Sequence, residues 1–269
     1  MKLCINQVTL GERSLREVAE ASSKAGFSAL ELWLPSVEQE LAAGLSVCDA
    51  RAVLGDNGVV AVGACFVSGL LASEGDARRE AFDVAKARFE LSQELGAAVI
   101  ACVGDGPQKP TAADYALAAE RAREIGDLAE SFGLTIALEF VAGMPFLGTL
   151  ATAARVVAEA DHPHVGVLFD MFHFHAGRSK VADFAELDGT GIAFVHLNDA
   201  RGLPREIIRD ADRVLPGEGA LPLRQLAGHI ADSGYDGYYS LELFNEELQS
   251  LDPAEAATRA YEACRRLGL

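Results

Sequence analysis

Residues 165–175 read VGVLFDMFHFH. Val165, Val167, Leu168 and Phe169 make a nearly continuous apolar run, the pattern of a strand buried on both faces. Asp170, His173 and His175 follow at its C-terminal end, three groups able to bind a metal or move a proton. A parallel barrel carries its chemistry at that end of each strand. Three other strand-like runs carry the same kind of residue there. Residues 134–138 (LTIAL) lead into Glu139, residues 191–197 (GIAFVHL) carry His196, and residues 237–243 (GYYSLEL) contain Glu242.

Working outward, four more apolar runs read as strands: residues 2–5, ending at Asn6 and Gln7; 27–32 (FSALEL), with Glu31 near its end and Trp33 just beyond; 59–66 (VVAVGACF); and 97–103 (AAVIACV). Helical spacing of apolar residues lies between them at 14–25, 46–57, 78–95, 111–132, 149–160, 222–233 and 253–267, with a shorter helix at 181–187. Gly26, Gly58, Gly96 and Gly133 stand at helix ends, and Thr149 is placed to cap a helix start. Eight strands, each followed by a helix, predict a (β/α)8 TIM barrel over residues 1–269 as a single domain. A doubly wound open sheet is disfavoured because no GxGxxG or GxxxxGK follows the first strand.

Composition narrows the class of partner. The formal net charge is −17, with acidic residues spread along the chain. No basic stripe is present to meet phosphates, which argues against nucleic acid. The longest apolar region, 59–72, is interrupted by Gly63 and Gly69 and is too short for a bilayer. Five scattered cysteines, with no CxxC pair, fit neither a disulfide framework nor a zinc finger. The N-terminal segment lacks the apolar length of a signal peptide. These features predict a soluble protein of the reducing cytoplasm, with a small molecule as its partner; a homo-oligomer is compatible with them.

A lone acidic residue at a strand end is usually a helix cap or a solvated charge. Glu139, Asp170, His196 and Glu242 at consecutive strand ends are different, because neighbouring strands of a closed barrel converge on one mouth. Three carboxylates packed there would repel, and one divalent cation removes the conflict. Oxygen ligands plus one imidazole suit Mn²⁺, Mg²⁺ or Co²⁺, and admit Zn²⁺. His173 and His175 alternate, so an extended segment turns both to one face; His173 is taken as the functional one and His175 as support. Glu31 and Trp33 are candidates for the pocket lining, Trp33 as an apolar wall for a sugar or cyclitol ring. Cys65 and Cys102 are expected to fill the barrel.

Six segments in order carry a family resemblance: MKLCINQ at the start, IALEFVAG at 136–143, GVLFDMFHFHAG at 166–177, FVHLND at 194–199, DRVLPGEGALPL at 212–223 and SLELFNEE at 240–247. Over nearly its whole length the chain resembles the sugar phosphate isomerase/epimerase family, whose fold is the xylose isomerase-like TIM barrel. The resemblance implies a metal held by Glu139, Asp170, His196 and Glu242, with His173 beside it contacting substrate and Arg213 as a substrate-binding arginine. It also implies an isomerase of a hydroxyketone sugar or inosose-like cyclitol. One of Glu139 and Glu242 removes a proton beside the carbonyl to give a cis-enediolate, and a proton is then returned elsewhere. A ketose 3-epimerase, or an inosose or 3-dehydroshikimate dehydratase, is the alternative on the same site. DNA cleavage on a related barrel conflicts with the acidic charge.

Overall fold

The computed structural model describes residues 1–187 and 191–268. Eight parallel strands close into a barrel: β1 (Lys2–Asn6), β2 (Ala29–Trp33), β3 (Val60–Val67), β4 (Val99–Val103), β5 (Thr135–Glu139), β6 (Val165–Asp170), β7 (Ile192–Leu197) and β8 (Tyr238–Leu241). Each strand pairs with its neighbours in sequence, and β1 pairs with β8 through Lys2 opposite Tyr238 and Cys4 opposite Ser240. The helices are α1 (Leu15–Ala25), α2 (Leu34–Ala42), α3 (Val47–Asp56), α4 (Gly75–Leu95), α5 (Ala112–Glu130), α6 (Leu150–Ala160), α7 (Met171–Ala176), α8 (Leu223–Asp232), α9 (Glu246–Gln249) and α10 (Pro253–Leu267), among the described residues. Among the described residues no helix is long and apolar enough to cross a membrane.

The helix ends follow from local chemistry. Ser14 and Glu17 form a reciprocal capping box at the start of α1, and Gly26 takes the left-handed conformation that ends it. Thr149 caps α6 by accepting from the Thr152 N–H. Asp252 caps α10, whose first position is Pro253. Phe27 and Tyr261 meet edge to face at 5.0 Å, where the first and last helices close the ring.

Side chains alternate along a strand, so each strand sends every second residue into the barrel. One interior layer is apolar and mostly small: Cys4, Ala29, Cys65, Ala101 and Ala137, with Leu168 and Phe194 as its large members. The Phe194 ring lies over Gly63, where an added Cβ would sit 2.8 Å from its Cζ. That contact explains why so apolar a strand carries a glycine. Two residues further on, toward the C-terminal mouth, the alternation reaches Asn6, Glu31, Glu139, Asp170 and His196. The functional layer therefore rests on an apolar floor. Cys65 belongs to that floor, as expected; Cys102 instead faces the layer between barrel and helices.

Two elements depart from the sequence reading. Helix α2 starts directly after β2 with Pro35 in its first turn, leaving no loop to mark it. The FHFH segment is not extended: Asp170 caps the short helix α7, its side chain accepting from the His173 N–H at 2.7 Å. Residues two apart on a helix diverge, so His173 is buried at the mouth while His175 points to the half-exposed outside.

Candidate metal centre

The predicted strand-end groups meet. Glu139, Asp170 and His196 each offer a ligand atom within 4.8 Å of the others, and all are buried. His196 Nδ1 lies 3.6 Å from Glu139 Oε1, 3.6 Å from Asp170 Oδ2 and 3.2 Å from Glu242 Oε2. Glu242 comes from the turn just after β8. Its backbone is gripped from both sides by Thr9, whose hydroxyl donates to the Leu241 carbonyl and accepts from the Leu243 N–H. Asn198 donates to Asp170 Oδ2 at 3.1 Å, a contact with no sequence signal beyond its place after β7.

Arg213 reaches this cluster from outside the barrel. An antiparallel ribbon pairs Asp199–Ala200 with Arg213–Val214, so the chain leaves the mouth after β7 and returns to it. Asp199 anchors the returning loop by accepting from the N–H groups of Gly217, Gly219 and Leu221. Gly219 is required there, because a Cβ would lie 2.3 Å from the Ala200 carbonyl. Arg213 is 1% exposed. Its Nη1 donates to Asp170 Oδ2 and Glu242 Oε2, both at 2.9 Å, and its Nη2 lies 3.3 Å from His173 Nε2. The guanidinium is flanked by the rings of Phe172 and Phe244. His173 also faces Glu139, with Nε2 3.8 Å from Oε1.

Glu31 and Trp33 occupy two different depths. Trp33 stands at the mouth against Phe66 and Phe244, on the wall of a cavity of about 690 Å³ shared with Gln7, Arg13 and Pro35. Glu31, expected on the pocket wall, is fully buried behind His196. Its Oε1 lies 3.1 Å from His196 Nε2, and its Oε2 accepts from Asn6 and Ser240. Sequence reasoning passed over Ser240, although its place two residues before Glu242 puts it on the inward face.

The electrostatics describe a site that requires positive charge. Burial pushes Asp170 up, but Arg213, His173 and His196 outweigh it and hold the carboxyl well below the usual range. Glu242 is also lowered, against its burial, by His196 and Arg213. Burial disfavours a charged His196, yet Glu242 and Glu31 raise its pKa well above the ordinary value. Cys65, whose Sγ lies near Glu31 and His196, is pushed up by burial and by Glu31, so it is a poor thiolate. The decisive atom is His196 Nδ1. It is buried, it has no hydrogen-bond partner, and three carboxylates surround it. With no cation present those carboxylates favour the protonated ring, and a divalent cation taking the place of the Nδ1 proton fits this O/N donor set.

Residues 19–267 match the family profile described as xylose isomerase-like TIM barrel. The chain belongs to this family. It is 32% identical to an inosose isomerase of Bacillus licheniformis over a 271-residue alignment covering 97% of this chain and 96% of that protein. It is 29% identical over 177 residues to a 3-dehydroshikimate dehydratase of Pseudomonas putida, a match covering 65% of this chain and 28% of the larger protein. Among solved structures, the IolI protein with a bound zinc atom superposes with a TM-score of 0.91 at 25% identity, covering 99% of this chain and 98% of that one.

Proposed function

We propose that this protein is a divalent-metal-dependent isomerase of an inosose-like hydroxyketone, with the ion held by Glu139, Asp170, His196 and Glu242. The observation that carries the reading is the unpartnered Nδ1 of His196 facing three carboxylates at the barrel mouth. The end-to-end similarity to an inosose isomerase supports the substrate class. Mn²⁺ is the first choice of ion, with Mg²⁺, Co²⁺ and Zn²⁺ chemically compatible. The five cysteines, all unpaired, fit a cytoplasmic setting.

The bound cation supplies polarisation of a substrate carbonyl. Glu139 on β5 and Glu242 just after β8 come from strands separated by β6 and β7, and one takes the proton from the hydroxyl-bearing carbon beside the carbonyl. A proton then returns to the former carbonyl carbon while the hydroxyl proton passes to the oxygen beside it, which moves the carbonyl one place along the ring. His173 and Arg213 line the same mouth and orient substrate oxygens. Trp33 offers a flat apolar face to the ring. The apolar floor beneath excludes water from below.

The test is product analysis by NMR in D₂O with an inosose. Deuterium incorporation and a second inosose are expected. Loss of water with no isomer would replace this reading with the dehydratase one.

A further inference from the structure

Glu31 is a buried carboxylate that the four-ligand scheme leaves unused. It lies on β2 in the same inward-facing layer as the proposed ligands and is completely shielded from solvent. Both of its oxygens are engaged: Oε1 with His196 Nε2 at 3.1 Å, Oε2 with Asn6 Nδ2 at 2.9 Å and Ser240 Oγ at 2.6 Å. The Asn6 amide also reaches Glu242 Oε1 at 3.2 Å. A neutral imidazole carries its proton on one nitrogen and a lone pair on the other, and the hydrogen bond made by one decides the role of the other. Carboxylates placed behind metal-bound histidines act in this way.

Resting on the metal-site reading above, we propose that Glu31 is a positioning residue for the ion. By accepting the Nε2 proton of His196, it holds the tautomer whose Nδ1 lone pair points at Glu139, Asp170 and Glu242. Through Asn6 it also steadies Glu242, so one side chain orients two of the four ligands. Glu31 serves as an acceptor and not as a ligand. An ion bound directly to it would have to displace His196 from Oε1 or Asn6 and Ser240 from Oε2.

The experiment compares wild type with Glu31→Gln and Glu31→Leu, measuring Co²⁺ affinity by chelator competition and the ¹⁵N signals of the His196 ring in the Zn²⁺-loaded protein. Thermal unfolding of each metal-free protein serves as the control for folding. Loss of such a supporting contact costs about 10–100-fold in metal affinity. Glu31→Gln, which keeps a weaker acceptor, is expected near the lower figure, and Glu31→Leu near the upper. The wild-type ring should show a protonated Nε2 whose signal is shifted by its hydrogen bond to Glu31, and Glu31→Leu a protonated Nε2 without that shift. Co²⁺ affinity within twofold of wild type in either variant overturns the proposal for Glu31 alone. If Glu31→Leu does not fold, Glu31→Gln decides the matter by the same criterion. If wild type itself takes up neither Co²⁺ nor Zn²⁺, the metal-site reading falls, and this inference with it.

Discussion

Among the described residues two clusters have the same composition, one histidine and two carboxylates with candidate ligand atoms within 4.8 Å. One is Glu139, Asp170 and His196 in the barrel mouth; the other is Asp127, Glu130 and His162 on the outer surface. In the surface cluster the carboxylates sit a helical turn apart on α5 and are 70% and 58% exposed, with His162 Nε2 3.2 Å from Asp127 Oδ1. His162 Nδ1 accepts the backbone N–H of His164, so its lone pair is spent and Nε2 is left to donate. The buried histidine is the reverse: Nε2 is engaged by Glu31 and Nδ1 is left without a partner. Unit charges 4 Å apart interact by about 1 kcal/mol in water and about 4 kcal/mol at an effective dielectric of 20. Proximity of ligand-type residues is therefore a weak signal. Burial and the tautomer imposed by the back of the ring separate a site from a surface coincidence.

That contrast can be broken by substitution. Glu139→Gln should lower kcat by about 10²–10⁴-fold, the range associated with a positioned acid–base group, while His162→Ala should leave turnover within about twofold. A steady-state assay with an inosose compares the two, and equal losses would erase the distinction. Metal removal comes next. Chelation should abolish isomerisation, and Mn²⁺ should restore it. At a free metal concentration 100-fold above Kd the folded state gains about 2.7 kcal/mol, visible as a rise in Tm that His196→Ala should not show.

Acidification probes the mouth through Asp170. Its folded pKa is depressed by Arg213 and the histidines, so its contribution to stability is full above the unfolded carboxylate value, about 3.9, and is lost as pH falls toward the folded value. Denaturant titrations of the metal-free protein between pH 6 and 3 should show stability falling with pH, and Asp170→Asn should flatten that dependence. The smallest effects belong to the surface cluster. Asp127→Asn and Glu130→Gln should change stability by about 0–1 kcal/mol, as is usual for exposed ion pairs, and should leave Co²⁺ uptake unchanged.

The barrel and the identity of the strand-end groups were legible because buried parallel strands read as apolar runs, and a polar residue ending such a run stands out. Depth within the mouth was not legible. Glu31 and Glu139 share one inward layer, yet Glu31 on β2 meets His196 Nε2 while Glu139 on β5 lies toward its Nδ1. Asn6 and Ser240 share the inward phase of their strands with the site, a signal that only became meaningful once the apolar layer beneath was known. Helix α7 was misread because MFHFHA is short, apolar and alternating, and such a segment satisfies strand and helix patterns equally. What decided it is the Asp170 carboxylate, which caps the helix through Oδ1 while Oδ2 faces His196 and Arg213.

The ribbon after β7 has one more consequence. Because Asp199–Ala200 pairs directly with Arg213–Val214, residues 201–212 leave and rejoin the barrel at a single point. The excursion hangs from a clasp, and within it Asp210 accepts from the Arg213 guanidinium while Arg205 donates to the Gly177 carbonyl. Leu203 and Ile207 stand exposed on it. Arg213 stands on the returning strand of the ribbon, whereas Glu139, Asp170, His196 and Glu242 are rooted in the barrel strands or the turn just beyond them. The proposed ion-binding residues and the rim are thus carried by separate stretches of chain, but a graft over 201–212 would also remove Asp210, the carboxylate that pairs with the Arg213 guanidinium.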